Sequence, residues 1–116
     1  MIPSGVEIYV SLEPVDMRLS FDRLAGLALE QTGYDARSGA LFIFFGRRRD
    51  SLKVLFFDGS GMVIFYKRLD RHTFKIPEPP SADARYVEVD DAALEALLDG
   101  VDIESGASVR SRPKTH

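Results

Sequence analysis

The chain has 116 residues, of which 45% are hydrophobic and 28% charged, a composition typical of one globular domain. It contains no cysteine, which excludes disulfides, thiolate metal sites and thiol nucleophiles. Its apolar runs are too short to span a membrane, and its first residues do not resemble a signal peptide. We therefore expect a soluble cytoplasmic protein with one domain at residues 1–104 and a disordered basic tail at residues 105–116.

The first predicted elements are a strand and a helix. Apolar and polar side chains alternate over residues 6–10, which is typical of a half-buried strand. Asp16 is a suitable N-cap for a helix over residues 17–31, and Phe21 lies on the apolar stripe of that helix. Gly33 follows as a natural C-terminal residue.

The middle of the chain predicts a meander of three strands. Residues 41–45, 52–57 and 62–67 are rich in Phe, Val, Ile and Leu, and both faces of each strand are nearly apolar. Asp58-Gly59-Ser60-Gly61 predicts the hairpin turn between the last two strands. A further strand is predicted over residues 73–76.

The last elements complete an α+β fold. Tyr86, Val87 and Val89 predict a short strand, and a helix of about nine residues follows, capped by Asp90 or Asp91 and ended by Gly100. The predicted fold is an antiparallel β-meander of about four to six strands packed with two α-helices.

Charge is segregated along the sequence although the formal net charge is only −3. Residues 47–75 carry eight basic and three acidic side chains, whereas residues 76–104 carry one arginine and nine acids. The overall charge argues against a nucleic-acid partner, but this distribution reopens that possibility.

The hairpin turn predicts where the basic side chains lie. If Phe57 faces Met62, then Ser51 faces Arg68, and the 46–50 loop lies at the same end of the sheet as Arg68. Seven cations from two segments then form what we call the cationic end: Arg47, Arg48, Arg49, Lys53, Lys67, Arg68 and Arg71.

Three interpretations of the cationic end remain open. The side chains could be merely solvated or covered by the acidic 76–104 segment, they could hold the phosphates of DNA, or they could contact an acidic protein surface. Tyr66 and Phe74 are the aromatic side chains of this region that could stack on a base.

Other candidate chemistry is weak. His72 fits a surface turn better than a general base, and no nucleophile accompanies it. Asp58 and Asp70 lie at opposite ends of the predicted sheet, which argues against a shared metal ion. We expect neither catalytic residues nor a cofactor.

The ordered set of motifs resembles the small accessory proteins (TnpB, or second-open-reading-frame-like) of bacterial transposons of the insertion-sequence-sixty-six group. The resemblance covers residues 2–103 and is carried chiefly by Asp16-Met17-Arg18, Gly46-Arg47-Arg48, Asp58-Gly59, Lys67-Arg68-Leu69 and Leu97-Leu98-Asp99-Gly100. Arg49 departs from it, because glycine is frequent there in the family.

The resemblance implies a role in transposition beside a separate transposase encoded by the same element. It transfers no catalytic residue. It leaves two hypotheses: direct DNA binding through the cationic end, or docking on the transposase or a sister accessory protein without DNA contact. The oligomeric state is not predicted.

Overall fold

A five-stranded sheet with one helix packed on each face organises the protein. The computed structural model describes residues 5–100, so the predicted tail at residues 105–116 lies outside the described residues. The strands are β1 Ile8–Ser11, β2 Leu41–Phe45, β3 Ser51–Phe57, β4 Met62–Arg68 and β5 Tyr86–Val89. The helices are α1 Phe21–Thr32 and α2 Asp91–Leu98, with a short 3₁₀ turn at Ala36–Ser38.

The strand order is β4-β3-β2-β1-β5, which confirms the predicted α+β class. The β2-β3-β4 meander is antiparallel, and β5 pairs antiparallel with β1. The pairing of β1 with β2 is parallel and was not predicted. A parallel pair needs a crossover, and α1 with the 3₁₀ turn provides it.

Both faces of the sheet are buried, which explains why the central strands are apolar throughout. Along β2, Leu41, Ile43 and Phe45 belong to one core together with Leu94 and Leu97 of α2. The alternate residues of β2, Phe42 and Phe44, belong to a second core with Leu24 and Ala28 of α1. The period-two alternation of a strand therefore assigns successive side chains to two separate cores.

The first helix begins four residues later than its predicted start. The carboxylate of Asp16 accepts from the backbone N–H of Arg18 at 2.9 Å, and Leu19 N–H donates to Asp16 O at 3.0 Å, so Asp16 closes a local turn instead. Ser20 is the N-cap, and Phe21, predicted in the core, is 42% exposed. Gly33 has a φ of 80° and ends the helix as predicted.

The strand predicted at residues 73–76 does not form. Phe74 and Ile76 instead pack into the core on the α2 face of the sheet, so this segment leaves the free edge of β4 unpaired. Phe74 N–H donates to Arg49 O at 2.7 Å, and the ring lies 5.8 Å from that of Phe45. Phe74 is only 1% exposed, so the interpretation of Phe74 as a base-stacking residue is wrong.

The predicted C-terminal elements are confirmed. Strand β5 forms at the edge beside β1, and the side chain of Asp90 caps α2 by accepting from Ala93 N–H at 2.9 Å. Within residues 5–100, neither helix is long and apolar enough to cross a bilayer.

Candidate nucleic-acid interface

The hairpin register brings the two basic segments together at one end of the sheet. Phe57 pairs with Met62 and Ser51 pairs with Arg68, as the turn predicted. At the far end of the ladder, Leu69 N–H donates to Asp50 O at 2.8 Å. The loop between β2 and β3 and the residues that end β4 are therefore neighbours in space.

The β2–β3 loop has a fixed backbone conformation. Gly46 N–H donates to Ser51 O at 3.0 Å, and Arg49 N–H donates to Gly46 O at 3.0 Å. Arg49 has a φ of 63°, in the left-handed region that favours glycine. A strained arginine in a position that suits glycine is the kind of outlier that points to a role for its side chain or its neighbours.

The segment that contains Val15 and Met17 lies against the loop. The sequence did not predict its place at this site. Val15 N–H donates to Phe45 O at 2.8 Å, and Val15 forms a parallel bridge with Gly46. A Cβ added at Gly46 would lie only 2.9 Å from Met17 Cγ, so the Met17 side chain would have to shift to accommodate any larger residue. Two motifs of the resemblance, Asp16–Arg18 and Gly46–Arg48, are thus adjacent in space. No local sequence pattern predicted that contact.

These segments enclose an open groove of about 440 Å³, which we call the arginine groove. Its wall also includes residues of β4. Its charged and aromatic lining residues are Asp16, Arg47, Arg48, Asp50, Tyr66 and Arg68. The groove therefore combines three guanidiniums with one aromatic ring at a surface that is open to solvent.

The groove arginines have no ion-pair partner among the described residues. Arg47, Arg48 and Arg68 are exposed, and every ion pair that forms within residues 5–100 involves either Arg18 or Arg85. The acids of residues 76–100 therefore do not cover these three arginines. This argues against the interpretation in which the acidic segment masks the cationic end, as far as residues 76–100 are concerned.

The two acids of the groove have partners of their own. Asp16 Oδ2 lies 2.7 Å from Arg18 Nη2, and this hydrogen-bonded pair lowers the pKa of Asp16 to about 2. Arg47 contributes only the weakest of the favourable interactions that lower this pKa. Asp50 Oδ1 accepts from Ser51 Oγ at 3.4 Å. Neither carboxylate neutralises a groove arginine by direct contact.

The two lysines of the cationic end differ from its arginines. Lys53 Nζ donates to Leu19 O at 2.8 Å and lies 5.3 Å from the centroid of the Tyr66 ring. Lys67 Nζ donates at 2.7 Å to Leu98 O, at the C-terminus of α2, where the helix dipole favours a cation. Both side chains are half-buried and bind backbone carbonyls, so they connect the sheet to the elements on its two faces.

The remaining predicted residues lie outside the groove lining. Arg49 and Arg71 are exposed at the same end of the sheet, and His72 beside Arg71 is also exposed, with a φ of 66°. Within residues 5–100, no three His, Asp or Glu side chains are arranged so that they could hold a metal ion.

The fold and the site define a small α+β protein with an open arginine-rich groove at one end of its sheet. The chain matches the IS66 Orf2-like protein family, TnpB_IS66, over residues 6–108 and belongs to that family. Family membership implies an accessory role in transposition and an association with the transposase of the same element.

Two relatives from Sinorhizobium fredii (strain NBRC 101917 / NGR234) are similar to the chain along most of its length. The uncharacterized protein y4hO is 38% identical over 104 residues, which is 88% of both chains. The uncharacterized protein y4jC is 32% identical over 98 residues, which is 84% of this chain and 81% of that protein. No solved structure matches the chain.

Proposed function

We propose that this protein is a non-enzymatic cytoplasmic accessory factor of transposition that binds DNA phosphates through the arginine groove. The observation that carries the proposal is the set of three exposed guanidiniums, Arg47, Arg48 and Arg68, without an acidic partner among the described residues. Guanidiniums bind phosphate oxygens in bidentate geometry, and a fixed loop backbone limits the entropy lost on binding.

The predicted binding is electrostatic and tolerant of sequence. Phosphate contacts carry no sequence information, and each neutralised phosphate releases condensed counterions. Three such contacts give a slope of log K against log salt of about −2 to −3. Arg49 and Arg71 extend the cationic surface outside the groove, whereas Lys53 and Lys67 already bind carbonyls and contribute mainly to folding.

The proposal is tested with the Arg47→Ala/Arg48→Ala double variant and a labelled DNA oligonucleotide in a salt titration. We expect the affinity to fall roughly tenfold to hundredfold at about 0.1 M salt. We also expect the slope of log K against log salt to become less steep by about 2. The matched control is Arg23→Ala/Arg37→Ala, which removes two exposed arginines that do not line the groove. Equal affinities of the wild type and the groove variant would overturn the proposal.

The alternative is a protein adaptor in which the same guanidiniums bind carboxylates of the transposase. The two functions give opposite results in one co-purification with the transposase of the same element. Loss of the complex on nuclease treatment supports DNA binding. The adaptor is supported by a complex that survives the nuclease but is lost in the Arg47→Ala/Arg48→Ala variant. In that case the wild-type protein should also bind no oligonucleotide at low salt.

A further inference from the structure

The ring of Tyr66 is largely exposed and lies outside both hydrophobic cores of the described residues. It is 52% exposed on the edge strand β4, and it belongs to neither hydrophobic core. No other aromatic ring of residues 5–100 packs against it. An exposed aromatic side chain that is not used for packing is available to a ligand.

Tyr66 lies beside the phosphate-binding groups that we assign to the groove. Arg68 lies two residues after Tyr66 on the same face of β4, about 7 Å further along the strand. Both residues line the arginine groove together with Arg47 and Arg48. One nucleotide can span this distance with its base on the ring and its phosphate on a guanidinium.

The ring is also held in place from the sheet. Lys53 is the cross-strand partner of Tyr66, its Nζ lies 5.3 Å from the ring centroid, and the same Nζ donates to Leu19 O. A cation is attracted to the face of an aromatic ring, and the exposed part of the Tyr66 ring is still available to a ligand. This contact favours the observed position of the ring, which would lower the entropic cost of stacking.

We propose that the arginine groove binds unpaired nucleotides, with a base stacked on Tyr66 and the flanking phosphates on Arg47, Arg48 and Arg68. In a duplex the faces of the bases are covered by their neighbours, so an aromatic platform beside a phosphate track favours single strands, frayed ends or gaps. This inference rests on the proposed function, because the phosphate contacts are the same.

The test compares the Tyr66→Leu and Tyr66→Phe variants with wild type on a fluorescent oligo-dT and on a duplex of equal length. We expect Tyr66→Leu to weaken oligo-dT binding about tenfold, since stacking on one aromatic side chain contributes affinity of about that order. Tyr66→Phe keeps the ring and should bind within about twofold of wild type. Duplex affinity should change less than about twofold in both variants.

The control variant is Tyr34→Leu, which removes a ring of similar exposure, 45%, that stacks on Tyr9 outside the groove. It should leave both affinities unchanged. Unfolding curves establish that each variant is folded. An oligo-dT affinity that does not change in Tyr66→Leu, or that falls in parallel with duplex affinity, overturns the stacking inference.

The same data distinguish this inference from the proposed function. Binding of oligo-dT and duplex that depends on Arg47 and Arg48 but not on Tyr66 supports the phosphate groove and overturns the stacking platform. A wild-type protein that binds neither DNA at low salt overturns both.

Discussion

The arginine groove and the ion pairs of Arg85 with Glu13 and Glu30 use the same type of side chain in opposite ways. Arg85 Nε lies 2.9 Å from Glu13 Oε2, and its Nη1 lies 3.6 Å from Glu30 Oε2, so one guanidinium links the loop after β1 to α1. Arg47 and Arg48 have no such partner within residues 5–100. A guanidinium with internal partners contributes to the fold, whereas one without them keeps its hydrogen-bonding capacity for a ligand.

The comparison separates residues that charge counting groups together. Lys67 belongs to the cationic end by register, but its Nζ binds a carbonyl of α2, so it resembles Arg85 and not Arg47. Substitutions should therefore separate stability from DNA binding. We expect the loss of a cation with internal partners to lower stability and, under the proposed function, the loss of a groove arginine to lower DNA affinity.

The largest stability effect is expected for Lys67→Met. It keeps the apolar stem but removes the bond to Leu98 O and the favourable interaction with the C-terminus of α2. We expect a loss of about 1–2 kcal/mol, measured by urea unfolding. The control is Lys75→Met at an exposed position, where a change within about 0.5 kcal/mol is expected. Equal losses in the two variants would contradict the distinction.

A smaller change of opposite sign is expected for Arg49→Gly. The left-handed backbone at Arg49 is strained for any residue with a Cβ, so glycine should raise the free energy of unfolding by about 0.5–1 kcal/mol. Arg48→Gly, at a neighbouring position without a positive φ, should lower it by about that amount. A stabilising Arg49→Gly that also weakens DNA binding would show that the arginine is kept for its charge.

The smallest expected effect concerns Asp16 and the charge of the groove. Its pKa of about 2 lies below the usual value of 3.8, so the associated stabilisation is present above pH 3.8 and is lost as the pH falls through about 2. An NMR titration of the carboxyl group should give a midpoint near 2 that rises toward 3.8 in Arg18→Ala. A larger rise in Arg47→Ala than in Arg18→Ala would mean that Asp16 neutralises the groove.

The sequence predicted the parts of the site that depend on local rules. The Asp58–Gly61 turn fixes the register of β3 against β4, and that register alone brings Arg68 beside the 46–50 loop. Contacts between distant segments were not predictable in this way. The parallel insertion of β1 and the approach of Met17 to Gly46 depend on tertiary packing, for which a single sequence has no periodic signal.

The hydrogen-bond partners of the side chains were likewise not predictable from the sequence. Lysine and arginine give the same charge count, but only the fold shows that Leu19 O and Leu98 O lie within reach of Lys53 and Lys67. Phe74 is buried because its ring packs in the core beside Phe45, a contact between segments that are distant in the sequence. The cationic end was therefore located correctly, but its division into structural lysines and exposed arginines required the structure.

The most direct test of this division is the salt dependence of oligonucleotide binding for wild type, Arg47→Ala/Arg48→Ala and Arg85→Ala, measured beside their unfolding free energies. For the groove variant, we predict a slope of log K against log salt that is less steep by about 2 and an unchanged free energy of unfolding. Arg85→Ala should keep the wild-type slope and lower the free energy of unfolding relative to wild type. Identical slopes in all three proteins would contradict the assignment of the groove arginines to DNA phosphates.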